Sequence, residues 1–148
     1  MAELLTTDAV RLGESASSAE DAIRIAGGVL VEIGAVGPEY VDAMLQREQS
    51  VSTFMGEGVA IPHGTNESKG AVKRDALAFV RFPDGVDWNG NTVNIAIGIA
   101  AVGDNHVGIL SNLAMILVDP DKAAQLREAN DPQTVIDLLS THDEGDDD

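Results

Sequence analysis

The chain carries three histidines, and their settings differ. His63 follows the apolar run Val59-Ala60-Ile61 inside Pro62-His63-Gly64, where proline closes strand pairing and glycine frees the backbone. That places it at a strand end facing a cleft, a position where loops carry function. His106 opens a helix just after the longest apolar run, and His142 is an incidental surface residue in an acidic terminus. If His63 and His106 point to one side of a sheet they share a cleft. The alternative is that His63 is a turn residue and His106 a helix-start residue bonded to the backbone. A two-histidine metal hydrolase is disfavoured, because no His-x-x-His or His-Glu-x-x-His spacing occurs and the carboxylates are scattered.

The elements that must position these residues follow from pattern. Ala9–Leu12 reads as a short first strand, and Ser17-Ser18-Ala19-Glu20 has the form of a capping box. Ala22, Ile25, Ala26, Val29, Leu30 and Ile33 then recur at helical spacing, and Gly34 stands where a left-handed residue ends a helix. Pro38 suits the first turn of a second helix, about 38–48, with Tyr40, Val41, Met44 and Leu45 inward. One strand precedes Pro62. Ala76–Phe82 and Val93–Val102 are apolar enough to be covered on both faces and form the centre of a sheet, with turns expected at Pro83-Asp84-Gly85 and Asn89-Gly90-Asn91. Asp104 or Asn105 caps a helix through Val118, and Asp119-Pro120 and Asp131-Pro132 open two more. The order strand, two helices, three strands, three helices predicts an α/β fold in three layers, with helices on both faces of a small mixed sheet.

At 148 residues the chain is sized for one domain, taken as 1–140, with 141–148 as an acidic disordered tail. The 25 acidic against 9 basic residues leave a charge of −16, which excludes a polybasic binder of nucleic acid or of an anionic membrane. So strong an acidic excess with few lysines matches proteins of high-salt cytoplasms, where screening makes a dense anionic surface tolerable. No apolar run is long enough to cross a bilayer, and the first residues, MAELLTTDAVRLGE, lack both a basic n-region and a long apolar h-region, so a cytoplasmic location is expected. The absence of cysteine removes disulfides, thiolate metal sites and a cysteine nucleophile.

The stretch Glu48 through Gly64 resembles the active-site signature of the mannitol/fructose class of phosphotransferase-system enzyme IIA domains. An acidic or amide residue (Glu48) is followed, after six positions, by an apolar residue and a small one (Met55, Gly56), then after two more by apolar-Ala-apolar-Pro-His-Gly (Val59 to Gly64). Every specified position is filled. The likeness extends to the helix AEDAIRIAGGVLVEIG, to GPEYVDAMLQRE, to Phe82-Pro83-Asp84-Gly85-Val86 and to Asn105-His106-Val107.

The resemblance implies that His63 is transiently phosphorylated at Nε2 by the histidine-phosphocarrier protein and passes the group to a cysteine of a sugar-specific enzyme IIB. Histidine suits this task, because its phosphoramidate stays reactive where a serine or threonine ester would trap the phosphate. By the same resemblance His106 is the second active-site histidine, bonding the phosphoryl group from a helix start. Arg47 is the arginine that stabilises the phosphorylated state through its guanidinium fork, or else it closes a helix at the surface. Gly64 and Thr65 are expected to donate hydrogen bonds beside the ring, and Glu57 to orient Arg47 or His106 unless it is a solvated loop carboxylate. No metal or other cofactor is implied. Lacking both cysteine and membrane segments, the chain reads as a stand-alone IIA that reaches a IIC permease through IIB. Fructose is the expected sugar and mannitol the next. A different class of function, a nitrogen-type regulator acting through phosphorylation-dependent protein binding, uses the same Pro-His-Gly site.

Overall fold

The computed structural model describes residues 5–50, 52–65, 70–102 and 105–147. A 3₁₀ turn at Thr7–Ala9 leads into β1 (Val10–Arg11), followed by α1 (Ala19–Glu32), α2 (Glu39–Ser50), β2 (Phe54–Gly56), β3 (Val59–Ala60), β4 (Ala76–Trp88), β5 (Asn91–Ala100), α3 (Asn105–Leu117), α4 (Pro120–Glu128) and α5 (Pro132–Asp147). The strands form one mixed sheet in the order β1-β4-β5-β3-β2. β1 runs parallel to β4 and β3 parallel to β5, while β4/β5 and β2/β3 are antiparallel. The expected α/β architecture, a small mixed sheet flanked by helices, is the one found.

Local chemistry accounts for most boundaries. The Ser18 hydroxyl accepts the Asp21 N–H, and the Asp21 carboxylate accepts the Ser17 N–H, so the cap of α1 sits one residue later than a Ser17–Glu20 box would put it. At the other end Gly34 adopts φ +78°. The Ala35 N–H bonds the Leu30 carbonyl and the Gly34 N–H the Val31 carbonyl, the paired bonds of a Schellman motif. Asp119 and Asp131 accept the N–H groups of Asp121 and Thr134, capping α4 and α5 as expected.

Three expectations change. β2 is an additional strand: the single strand foreseen before Pro62 is a hairpin, turned at Glu57-Gly58 with both residues at positive φ (54° and 77°). Pro83-Asp84-Gly85 is not a turn but an irregularity inside β4. Four residues lie between Arg81 and Val86 where only Asn94 lies between their partners Ile95 and Val93, and proline tolerates such a bulge because it asks for no ladder donor. The chain reverses only at Asn89-Gly90, again with both φ positive. α5, finally, takes in residues 141–147, which the sequence reading sets apart as a tail; a capped helix extends at the gain of one hydrogen bond per residue added.

The core lies on both faces of β4 and β5, whose residues from Ala76 to Val80 and from Ile95 to Ala100 are all buried. α1 packs so closely on β5 that a Cβ at Gly98 would lie 3.3 Å from Ala26 Cβ. A second close approach lies outside that: a Cβ at Gly27 would stand 2.9 Å from Val41 of α2. Because α1 is covered by the sheet on one side and by α2 on another, Ile23 is fully buried, while Ile25 and Ile33, expected to face inward, are only partly so. Arg81 of β4 donates to the carbonyls of Arg127 and Ala129, tying the sheet to the α4–α5 junction.

Candidate active site

His63 emerges just beyond β3, where it still pairs in parallel with Ile99 of β5. The Ile99 N–H donates to the Pro62 carbonyl (3.0 Å). Nδ1 of His63 lies 2.9 Å from the Ile61 carbonyl oxygen. A carbonyl oxygen only accepts, so Nδ1 carries the proton and the in-plane lone pair belongs to Nε2. The backbone two residues upstream thus selects the ring's tautomer.

The imidazole borders a cleft of about 270 Å³. Arg47 enters it from the last turn of α2, Ser52 to Met55 from the approach to β2 and the strand itself, Ile61 and His63 from the end of β3, and Leu110 and Ala114 from α3. Arg47 and His63, sixteen positions apart in the chain, therefore meet in one cavity. Helix α2 can deliver Arg47 because its C-terminal turn is held from below. The Glu48 carboxylate accepts the Thr53 N–H (3.1 Å), the Thr53 hydroxyl (2.5 Å) and the indole N–H of the fully buried Trp88 (2.8 Å).

The other expected site residues divide. His106 stands in the first turn of α3, and its side chain lies outside the described residues. His142 falls within α5, its side chain likewise outside them. The Gly64 N–H is directed at the Tyr40 hydroxyl (2.9 Å), so it anchors the turn rather than standing ready beside the ring. Thr65 is half-buried directly after it. Glu57 does not line the cleft: it occupies the exposed β2–β3 turn, where its carbonyl accepts from the Arg127 guanidinium. Phe54 and Met55 of β2 line it, with Met55 39% exposed. Sequence reading counted Tyr40 only as an inward-facing residue and Glu48 only as a signature position; the polar work of both depends on partners far along the chain. The described residues contain no cluster of three or more metal-ligating side chains, and no helix among them is long and apolar enough to cross a membrane.

Residues 3–142 match the family model for the phosphoenolpyruvate-dependent sugar phosphotransferase system, EIIA 2. The chain is 39% identical over 135 residues to the mannitol-specific phosphotransferase enzyme IIA component of Staphylococcus aureus, covering 91% of this chain and 94% of that protein. It is 39% identical over 140 residues to the PTS system mannitol-specific EIICBA component of Vibrio cholerae, where it spans 93% of its own length but 22% of the relative's. The crystal structure of IIA mannitol from Escherichia coli superposes with a TM-score of 0.83 at 37% identity, over 90% of this chain and 97% of the other. The complex of enzyme IIAMtl with phosphorylated enzyme IIBMtl from Escherichia coli gives 0.85 at 35%, over 93% and 99%. With Nδ1 of His63 fixed, an arginine in the same cleft and this likeness along nearly the whole chain, the protein belongs to the EIIA 2 family of the sugar phosphotransferase system and is a phosphotransferase component of it.

Proposed function

We propose that this protein is the IIA component of a mannitol phosphotransferase system, taking a phosphoryl group from the histidine-phosphocarrier protein on Nε2 of His63 and passing it to a cysteine of enzyme IIB. The observation that carries the reading is the bond from Nδ1 of His63 to the Ile61 carbonyl. It leaves the nucleophilic pair on Nε2 without any proton having to be removed first. In the forward step the Nε2 lone pair forms a P–N bond while the P–N bond to the donor's imidazole breaks, and the proton on Nδ1 stays where the carbonyl holds it. The phosphorylated ring is then an imidazolium whose N–H bond to Ile61 strengthens. Onward transfer reverses these changes, with the thiolate of IIB as acceptor.

Phosphoryl transfer asks the protein mainly for alignment and for cationic or N–H groups around the equatorial oxygens. Arg47, lining the same cleft, is suited to the second task. His106 is proposed to join it, because positions 106, 110 and 114 recur every fourth residue of α3, a spacing that shares one helix face, and Leu110 and Ala114 border the cleft. Met55 and Phe54 on the rim, with Val107 and Met115 exposed on α3, offer apolar surface to a docking partner of this strongly acidic protein.

Mannitol replaces fructose as the expected sugar, because the relatives above are named mannitol-specific and none is named for fructose. The regulatory alternative rests on the likeness to nitrogen regulatory protein IIA-Ntr from Neisseria meningitidis (TM-score 0.82), whose identity of 25% lies below that of the mannitol proteins. The high-salt expectation draws no support from these relatives and rests on charge alone. The deciding experiment supplies the protein with phosphorylated carrier and membranes bearing a mannitol IIB/IIC, or a fructose one, and follows sugar phosphate. Mannitol phosphate should form. His63→Ala should abolish phosphoryl uptake while folding normally, since a half-buried cleft residue contributes little to the core. Arg47→Ala should shorten the life of the phosphorylated protein, and His106→Ala should slow onward transfer by roughly 10²-fold, the scale of removing one charge-stabilising donor. Normal uptake by His63→Ala would overturn the assignment.

A further inference from the structure

Both peptide groups flanking His63 are fastened to a single residue of β5, and one of the two fastenings is indirect. Upstream, the Pro62 carbonyl accepts the Ile99 N–H directly. Downstream, a regular parallel ladder would have the Gly64 N–H donate to the Ile99 carbonyl. Instead the Tyr40 hydroxyl stands between them, 2.9 Å from the Gly64 nitrogen and 2.7 Å from the Ile99 oxygen. The directions are forced: the Ile99 carbonyl can only accept, so the hydroxyl proton goes to it, and the hydroxyl oxygen accepts from Gly64. Tyr40 is 4% exposed. Its burial pushes the phenol above its ordinary range, against the opposing effect of the Gly64 N–H, so the proton this relay needs is retained.

We propose that Tyr40 is a positioning residue for phosphoryl transfer, its hydroxyl interposed in the ladder between Gly64 and Ile99 so as to set the distance and tilt of the His63 turn relative to β5. This inference rests on His63 being the phosphorylated residue. The hydroxyl acts as a spacer. With it, the Gly64 N–H and the Ile99 carbonyl are joined through one oxygen atom while His63 keeps its parallel pairing with Ile99 beside the cleft that Arg47 shares. Without it, the turn either closes onto Ile99 to make the missing ladder bond or leaves two main-chain groups without their present partner; each outcome moves the ring. The hydroxyl bonds the main chain at Gly64 and Ile99, so its effect on the reaction passes through Gly64.

Tyr40→Phe keeps the aromatic packing and removes only the spacer. Two readouts separate positioning from general stability. In ¹⁵N NMR of the unphosphorylated protein, wild type should show His63 as a single Nδ1–H tautomer and a downfield Gly64 amide; the variant should show a shifted Gly64 amide and altered His63 ring resonances. In single-turnover transfer from saturating phosphorylated carrier, the rate constant should fall about 10- to 100-fold, the scale of a displacement near 1 Å, while the half-saturating carrier concentration stays unchanged. Wild-type ring resonances together with a wild-type rate would overturn the proposal. If wild type itself took no phosphate on His63, the functional reading would fail, while the Gly64 and His63 resonances would still report on the relay. Should Tyr40→Phe not fold, the wild-type hydroxyl proton decides: slow solvent exchange and a nuclear Overhauser contact to the Gly64 amide support the relay, and their absence overturns it.

Discussion

The indole N–H of Trp88 donates to the carboxylate of Glu48 across 2.8 Å, joining the last turn of α2 to the end of β4. Trp88 is fully buried, so this bond is the outlet for a polar group with no access to water. Since Glu48 also accepts from both hydrogen-bond donors of Thr53, one side chain fixes helix, loop and sheet to one another beside Arg47. The signature's demand for an acidic or amide residue at this position then has a physical cause: it needs an acceptor of several hydrogen bonds.

Replacing Glu48 by alanine should strand the Trp88 and Thr53 donors and cost about 1–3 kcal/mol, the range for unsatisfied buried donors. The melting temperature should fall, and the phosphorylated protein should become shorter-lived in parallel with Arg47→Ala. Glu48→Gln, which still accepts, should lose much less. Thermal unfolding and the decay of phosphohistidine measure the two effects, and equal losses for Ala and Gln would remove the acceptor argument.

Glu57 adopts φ 54°, a left-handed conformation that costs an L-residue roughly 1–2 kcal/mol and costs glycine little. Glu57→Gly should therefore raise stability, by about 1 kcal/mol in denaturant unfolding, and leave phosphoryl transfer at the wild-type rate. A clear drop in transfer would restore the carboxylate to the role of orienting Arg47 or His106.

Asp131 accepts the Thr134 N–H at the start of α5, and this bond, aided by the Thr134 hydroxyl, lowers its pKa below the ordinary 3.8. A carboxyl whose folded pKa is depressed contributes stability that is present above the unfolded value and is lost as pH falls through the folded one. Helix α5 should accordingly loosen on acidification below that ordinary value. Other carboxylates titrate in the same range, so the comparison is with Asp131→Asn, which caps without titrating. Circular dichroism melts at stepped pH should converge for the two proteins at low pH, wild type losing its advantage.

The charge of −16 makes salt a test of surface electrostatics. Between about 0.1 M and 1 M the Debye length shrinks from roughly 10 Å to 3 Å, which relieves repulsion among exposed carboxylates. Melting temperature should rise across about 0.1 to 3 M potassium chloride, a range spanning that change in screening. Docking through the apolar rim around Met55 predicts that transfer persists at the upper end. A flat melting temperature would dispose of the self-repulsion argument, and with it the high-salt expectation, without touching the His63 chemistry.

Sequence by itself determined what is local. Helix limits were legible at Gly34, Asp119 and Asp131 because capping and left-handed conformations are decided within a few residues. The place of His63 at a strand end beside a cleft was legible because the proline and glycine around it act on adjacent backbone. What only the tertiary structure decided is long-range. Pro83-Asp84-Gly85 looks like a turn from within, yet it stays in β4 as a bulge because β5 continues to pair on both sides of it. Gly64 looks like a donor to the site until Tyr40, twenty-four positions earlier, takes its N–H. Glu48, an acceptor by signature, gains its meaning from Trp88, forty positions later. In each case the preference of the segment was real but weak, and a hydrogen bond or ladder pair from a distant part of the chain, formed only once the sheet closes, was worth more.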